Sequence, residues 1–381
     1  MKIALVSPYD FSYPSGVNRH LASLYKHFTR LGHEVKVITP ASQDVKDFGD
    51  NFIRIGKPVP IPASDSVIRI SISLHLAPTI KGVLEREKFD LIHLHEPFMP
   101  MLCSAVLRFS DAVNIGTFHA AQGKPGYNWG RPVSSWMLAK RSRKLHGHVA
   151  VSVPALRYIS RYVPAEYEII PNGVDTHFFR PDVKPLEQYT DDKLNIVFLS
   201  RLEFRKGANY LLKAFLEVKK QMPNTRLLIC GSGTRLRNRY EAWVKDVHLS
   251  DVIFTGMVPE QDIPRYYRTA DVFCAPATGH ESFGLQLVEA MATGRPIVAT
   301  NIEGFANVIT HGEEGLLVPP MVARPLADAL LTLLNDRERR LQMGQKSVIT
   351  AQKYAWEGIA SRLLAYYAKT AEKVKQEIKK T

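Results

Sequence analysis

Cysteine is scarce. Cys103, Cys230 and Cys274 are the only three, and their spacing fits neither a disulfide framework nor a metal knuckle. A reducing, cytoplasmic setting is therefore expected. No run approaches the ~20 apolar residues that a membrane helix needs. The opening MKIALVSPYD meets Pro8 and Asp10 quickly, so it reads as a first strand rather than a secretory leader. No Asp-x-Asp metal signature stands out, and no short-period repeat points to a solenoid. Acidic residues are missing from one long stretch. Between Glu96 and Glu166 the only acid is Asp111, while Arg108, Lys124, Arg131, Lys140, Arg141, Arg143, Lys144, Arg157 and Arg161 all fall there.

The 381 residues exceed the usual size of one core, so two domains of similar size are expected. A formal charge of +13 points to anionic partners: nucleotides, nucleic acid or acidic lipid. Nucleic acid is disfavoured, since neither an aromatic stacking platform nor a basic recognition helix stands out. The segment Pro132 to His146 mixes Trp136, Met137, Leu138 and Leu145 with four basic residues. That suits a membrane-surface helix, and equally a core helix with a basic outer face.

Along the chain the pattern is strand, loop, helix, strand, twice over. KIALVS and EVKVIT flank a helix from about Val17 to Leu31. Residues 41–66 read as irregular. DLIHLH and NIGTFH are buried-strand patterns, the second ending in His119. A strand-end histidine at a carboxyl edge is placed to act on substrate or to serve structure. After a Pro- and charge-rich linker at 176–192 the pattern restarts with NIVFLS. The expected class is α/β, two Rossmann-like doubly wound domains.

The strongest stretch runs from His280 to Gly294, HESFGLQLVEAMATG. A Ser-Phe-Gly turn opens a helix, and Gly294 and Pro296 stop it. Such an N-terminus offers backbone N–H groups and a positive dipole end to phosphate. Glu281 and Glu289 flank it as hydroxyl acceptors. The pattern suits a nucleotide diphosphate sugar; a capped surface helix is the other reading of these residues. Each glycine loop of the second half falls at a strand's carboxyl end. Arg201 and Lys206, five apart on one loop, can both reach a diphosphate. Gly231 lets backbone pass beside a nucleotide, and Met257 and Val258 can wall its base. With no metal signature, Arg201 and Lys206 are expected to stabilise a departing diphosphate.

These residues resemble the family 4 retaining glycosyltransferases of the GT-B fold. The carriers are Ser15–Gly16, His119, PNGVD at 171–175, SRLEFRKG at 200–207 and the spacing from Glu281 to Glu289. Within the family the chain is most similar to bacterial phosphatidylinositol mannosyltransferases, through SPYDFSYPSGV, PVPIPASDSVIRI, HLHEPFMP and GHESFGLQLVEAMATG. The resemblance implies two domains facing a central cleft. Residues 1–178 would bind the acceptor and 190–355 the nucleotide sugar, with the helix from 356 to 381 crossing back onto the first domain. It implies transfer of a hexose, with mannose from GDP-mannose favoured, to a membrane lipid such as phosphatidylinositol. The alternative is a UDP-sugar enzyme acting on diacylglycerol or a glycan. By resemblance, His119, Arg201, Lys206 and Glu281 are the catalytic set. Gly16, Gly231, Met257, Val258, Phe283, Gly284, Leu285 and Glu289 would bind the donor, and Tyr9, Asn18 and Arg69 the acceptor. No resident cofactor or site metal is implied. The expected place is the inner face of the cell membrane, on an anionic lipid surface. Two departures concern the acceptor: Asn18 stands where the mannosyltransferases have glutamine, and Phe98 where they have asparagine.

Overall fold

In the computed structural model the described residues are all except 14, 64, 65, 74, 122–139 and 381. The first half of the segment 132–146 therefore lies outside them. Two compact units divide the chain. One comprises Met1–Gly173 with the C-terminal helix Trp356–Ile378; the other is Val174–Ala355.

The first unit carries a seven-stranded sheet. Its strands are β1 (Lys2–Val6), β2 (Glu34–Thr39), β3 (Phe52–Arg54), β6 (Leu91–His95), β7 (Val113–Phe118), β8 (Gly147–Ala150) and β9 (Glu168–Ile169), in the order β3-β2-β1-β6-β7-β8-β9. A hairpin, β4 (Pro58–Ala63) with β5 (Ser66–Ser71), stands apart. Every pairing within the seven-stranded sheet is parallel, so apolar runs such as KIALV and LIHLH are covered on both faces. The expected irregular stretch 41–66 is corrected here: it holds β3 and β4. Its prolines hid the strand. Pro58, Pro60 and Pro62 alternate, which a two-stranded ribbon tolerates because every second N–H points away from the partner.

The C-terminal helix is integral to this unit. Tyr367 is fully buried, and its hydroxyl lies 2.5 Å from His93 Nδ1. Trp356 is 4% exposed and packs over Gly173, where a Cβ would sit 2.4 Å from the indole.

The second unit has six parallel strands: β10 (Leu194–Leu199), β11 (Thr225–Cys230), β12 (Val252–Gly256), β13 (Val272–Ala275), β14 (Ile297–Thr300) and β15 (Gly315–Val318). Their order, β12-β11-β10-β13-β14-β15, reverses direction at β10. Loops after β10 and β13 thus meet at the topological switch point, where ligands bind in such sheets. The stretch 176–192 is not a bare linker: Phe179 is buried against Tyr267 in this unit's core. Among the described residues no helix is long and apolar enough to cross a membrane.

Candidate active site

In the second unit the loop after β10 tightens into a short turn, Phe204–Lys206, closed by Gly207 at φ +75°. A Cβ on Gly207 would fall 1.8 Å from the Pro276 carbonyl oxygen, so only glycine permits this approach to the loop after β13. The contact is then fastened, as Thr278 donates its backbone N–H to the Arg205 carbonyl at 2.8 Å. Gly231 lies equally close to Ser200, its notional Cβ 1.8 Å from that carbonyl. On the far side Gly304 presses on Glu281, with a notional Cβ 2.1 Å from the Glu281 carbonyl oxygen.

This packing gathers charge. Lys206 Nζ and Arg205 Nη1 each lie 2.6 Å from Glu281 Oε1. Arg205 Nε donates to Glu203 at 2.8 Å, and Arg201 Nη1 lies 3.1 Å from the other oxygen of Glu203. Lys206, Glu281 and Glu203 are nearly enclosed, whereas the Arg201 side chain is 56% exposed. Lys206 and Glu281 thus meet directly, while Arg201 is joined to them through Glu203 and Arg205. Glu203 and Arg205 were missed, although both stand inside the same RLEFRKG loop. The signal was there: a carboxylate and a guanidinium between two cations that must not repel each other.

Gly284, at φ +88°, opens the helix Leu285–Ala292, whose first turn includes no acid. Its first N–H groups have no helical acceptor and face an anion favourably. Leu285 begins that helix and is half-buried. Phe283 is a core side chain, 4% exposed and edge-on to Tyr354, so only its backbone can meet a donor. Glu289 is buried, and its Oε2 accepts a hydrogen bond of 2.8 Å from the buried Tyr267 hydroxyl. Met257 is 78% exposed just beyond β12, while Val258 turns inward to pack on the core.

In the first unit Gly16 begins the helix Gly16–Arg30, capped by the Ser15 hydroxyl, which accepts from Asn18 N–H at 3.1 Å. The Asn18 side-chain amide donates to the carbonyls of Asp10 and Tyr13, both at 2.8 Å. Asn18 therefore shapes the loop it sits under. Arg69 lies on the hairpin, its guanidinium 3.9 Å from the Tyr13 ring centre, and its carbonyl accepts from Asp10 N–H. Tyr9 bridges to Ile70, and burial pushes its phenol well above the ordinary range. Tyr9, Asn18 and Arg69 thus converge on one loop. Phe98 packs in the core against Phe118.

His119 follows β7. Its N–H and that of Ala120 both donate to Glu96, at 2.8 and 3.0 Å, and its Nε2 lies 2.9 Å from His95 Nδ1. Glu96, buried with φ +52°, is a third residue missed in the sequence. Burial raises its pKa, against the two N–H donors. His20, His95 and His119 hold ring nitrogens within 4.8 Å of one another, the one grouping of this kind among the described residues. The ring-to-ring hydrogen bond is the engagement seen there.

Burial pushes His119 and His148 down to about 4 and His93 to about 3, with His20 and His95 also well below their ordinary value of 6.5. These rings are neutral in the fold and bind protons more tightly once unfolded. Stability is therefore complete above about pH 6.5 and is lost as pH falls toward about 4, because the unfolded chain takes up protons first. Urea unfolding followed by circular dichroism should show the first unit's midpoint falling steadily from about pH 7 to about pH 5. A midpoint flat across that range would contradict the buried neutral cluster.

Comparison with known proteins follows this division. The family model for Glycosyltransferase Family 4 matches residues 14–178, and that for Glycosyl transferases group 1 matches residues 181–348. The chain is 35% identical over 379 residues, covering 97% of both chains, to a phosphatidyl-myo-inositol mannosyltransferase of Mycobacterium tuberculosis. It is 32% identical over 222 residues, 54% of this chain and 57% of the other, to a GDP-mannose-dependent alpha-(1-6)-phosphatidylinositol monomannoside mannosyltransferase of the same species. Anabaena HepE, solved in complex with UDP, superimposes with a TM-score of 0.78 at 18% identity, covering 97% of this chain and all of the other.

Proposed function

The chain belongs to family 4 of the glycosyltransferases, with the GT-B fold, and we propose that it transfers mannose from GDP-mannose to a phosphatidylinositol-type lipid with retention at the sugar carbon. Its donor is a nucleotide sugar. The observation that carries the reading is the pairing of Lys206 with Glu281, linked to Arg201 through Glu203 and Arg205, beside a glycine-opened helix at the switch point of the second sheet. As the sugar–phosphate bond breaks, negative charge grows on the diphosphate. Arg201, Lys206 and the helix N–H groups are preset to receive it in a partly enclosed place. On this reading the two cations neutralise the charge that a metal ion neutralises in other enzymes. Glu281, held rigidly by two cations, accepts hydrogen bonds from the donor sugar, and Glu289 serves the ribose from within. His119, neutral at physiological pH, offers a ring nitrogen near the acceptor hydroxyl rather than a charge. The activities named for the relatives support mannose, GDP and an inositol lipid. The net charge supports a peripheral site on the anionic inner face of the membrane.

A second acceptor reading, diacylglycerol or a glycan served by a UDP-sugar, is favoured by two observations. The Asn18 amide is already engaged by its own loop, and Phe98 is buried in the core. A thermal-shift screen with GDP-mannose, UDP-glucose, UDP-galactose, GDP and UDP separates the donors. A ligand at a hundredfold its dissociation constant adds about 2.7 kcal/mol of stability. Stabilisation by GDP and GDP-mannose alone is expected. Stabilisation by UDP and a UDP-sugar instead would move the function to the second reading.

A further inference from the structure

The charges around Glu281 form one alternating chain: Arg201, Glu203, Arg205, Glu281, Lys206. Two members lie outside the set assigned to the reaction. Arg205 spans both glutamates, with Nε on Glu203 at 2.8 Å and Nη1 on Glu281 at 2.6 Å. Its backbone is pinned as well, since Thr278 donates to its carbonyl from both N–H and hydroxyl, at 2.8 and 3.3 Å. Glu203 is 6% exposed and holds a different cation on each oxygen. A guanidinium presents donors in a fixed fork, so an arginine anchored at its backbone and at Glu203 fixes where the Glu281 carboxylate lies.

We propose that Arg205 and Glu203 are positioning residues for donor transfer. Arg205 holds the Glu281 carboxylate in place for the donor sugar. Glu203 anchors Arg205 and occupies Arg201 until the donor diphosphate displaces it. The proposal rests on the reading of Arg201, Lys206 and Glu281 as the donor site.

Glu203 should then act against nucleotide binding while supporting turnover. A donor diphosphate must take Arg201 from Glu203, so the carboxylate competes with the ligand. Glu203→Gln removes that competitor while keeping the shape. It should bind GDP several-fold more tightly, with turnover reduced because Arg205 loses its anchor. Arg205→Gln should lower kcat with GDP-mannose by about tenfold or more, as loss of an orienting contact does. Its KM for donor should move far less. Arg205→Lys keeps the charge and the buried stem but reaches one carboxylate at a time, so it should recover part of the kcat. A purely packing role predicts instead that melting temperature and kcat fall while KM rises with them, without recovery by lysine.

The measurements are kcat and KM with GDP-mannose, GDP affinity by calorimetry and melting by circular dichroism, with UDP and a UDP-sugar as the second probe pair. Wild-type kcat in Arg205→Gln, or GDP binding unchanged or weaker in a folded Glu203→Gln, would overturn the proposal. Glu281→Ala, run alongside, keeps the two levels apart. If it retains activity, the donor-site reading itself fails; if it is inactive while Arg205→Gln is normal, only the positioning role fails.

Discussion

Lys206→Ala is expected to lower turnover by at least roughly a hundredfold, the usual consequence of removing one transition-state contact. Glu281→Ala should cost about as much, and the two losses should differ in kind. Lys206 faces Glu281 at 2.6 Å with both side chains nearly enclosed. Removing one partner of an enclosed ion pair ordinarily strands the other at a cost of ~3–5 kcal/mol. Here the two removals differ. Without Lys206, Glu281 keeps Arg205 at 2.6 Å. Without Glu281, Arg205 keeps Glu203 at 2.8 Å, and only Lys206 loses the ion-pair partner seen here. Both variants should therefore fold. Lys206→Ala should bind GDP more weakly, having lost a phosphate cation. Glu281→Ala should bind GDP at least as well as wild type, because a freed lysine meets the diphosphate. Steady-state rates with GDP-mannose and calorimetry with GDP check both halves. Near-normal turnover in either variant would remove that residue from the reaction.

Such a contrast was only partly legible in the sequence. RLEFRKG displays Arg201 and Lys206 at the end of an apolar strand, and HESFG displays Glu281 before a helix. These are local patterns, and local patterns are what periodicity and turn residues report. The pairing of the two loops is not local. It depends on β10 lying beside β13 in the sheet, with about 75 residues of chain between Arg205 and Glu281. For the same reason Glu203 and Arg205 looked like ordinary loop charges, and Glu96 like the polar end of a buried strand. Glu289 shows the converse limit. Its spacing from Glu281 was correct for the motif, yet spacing says nothing of burial, and the fold places it inside against Tyr267. The hairpin at 58–71 was missed because alternate prolines mask strand propensity, although the same alternation is what lets them sit in a ribbon.

Gly304→Ala, outside every motif, is expected to damage catalysis nearly as much as the loss of a charged residue. Two effects oppose each other at this position. Gly304 lies in the short helix Glu303–Ala306, where alanine is intrinsically favoured over glycine by about 0.8–1.0 kcal/mol. Against that, its new Cβ would lie 2.1 Å from the Glu281 carbonyl oxygen and 2.8 Å from the carbon. Those are backbone atoms and cannot rotate away. Restoring an ordinary contact means moving the Glu281 loop by about 1 Å, and overpacking of this size costs ~1–3 kcal/mol. The propensity gain offsets part of that, so the melting temperature should fall only modestly. The site is less forgiving, because a displacement of ~1 Å at a reacting group can cost about a hundredfold in rate. Gly358→Ala is the matched control. It lies in the helix Trp356–Ile378, and its Cβ would meet nothing within 4 Å. That variant should gain about 0.4–1 kcal/mol of stability and keep its turnover. Thermal melts and steady-state rates on the pair decide the matter. If Gly304→Ala turns over normally, the Glu281 backbone is free to shift without consequence, and the case for a rigidly held carboxylate is lost.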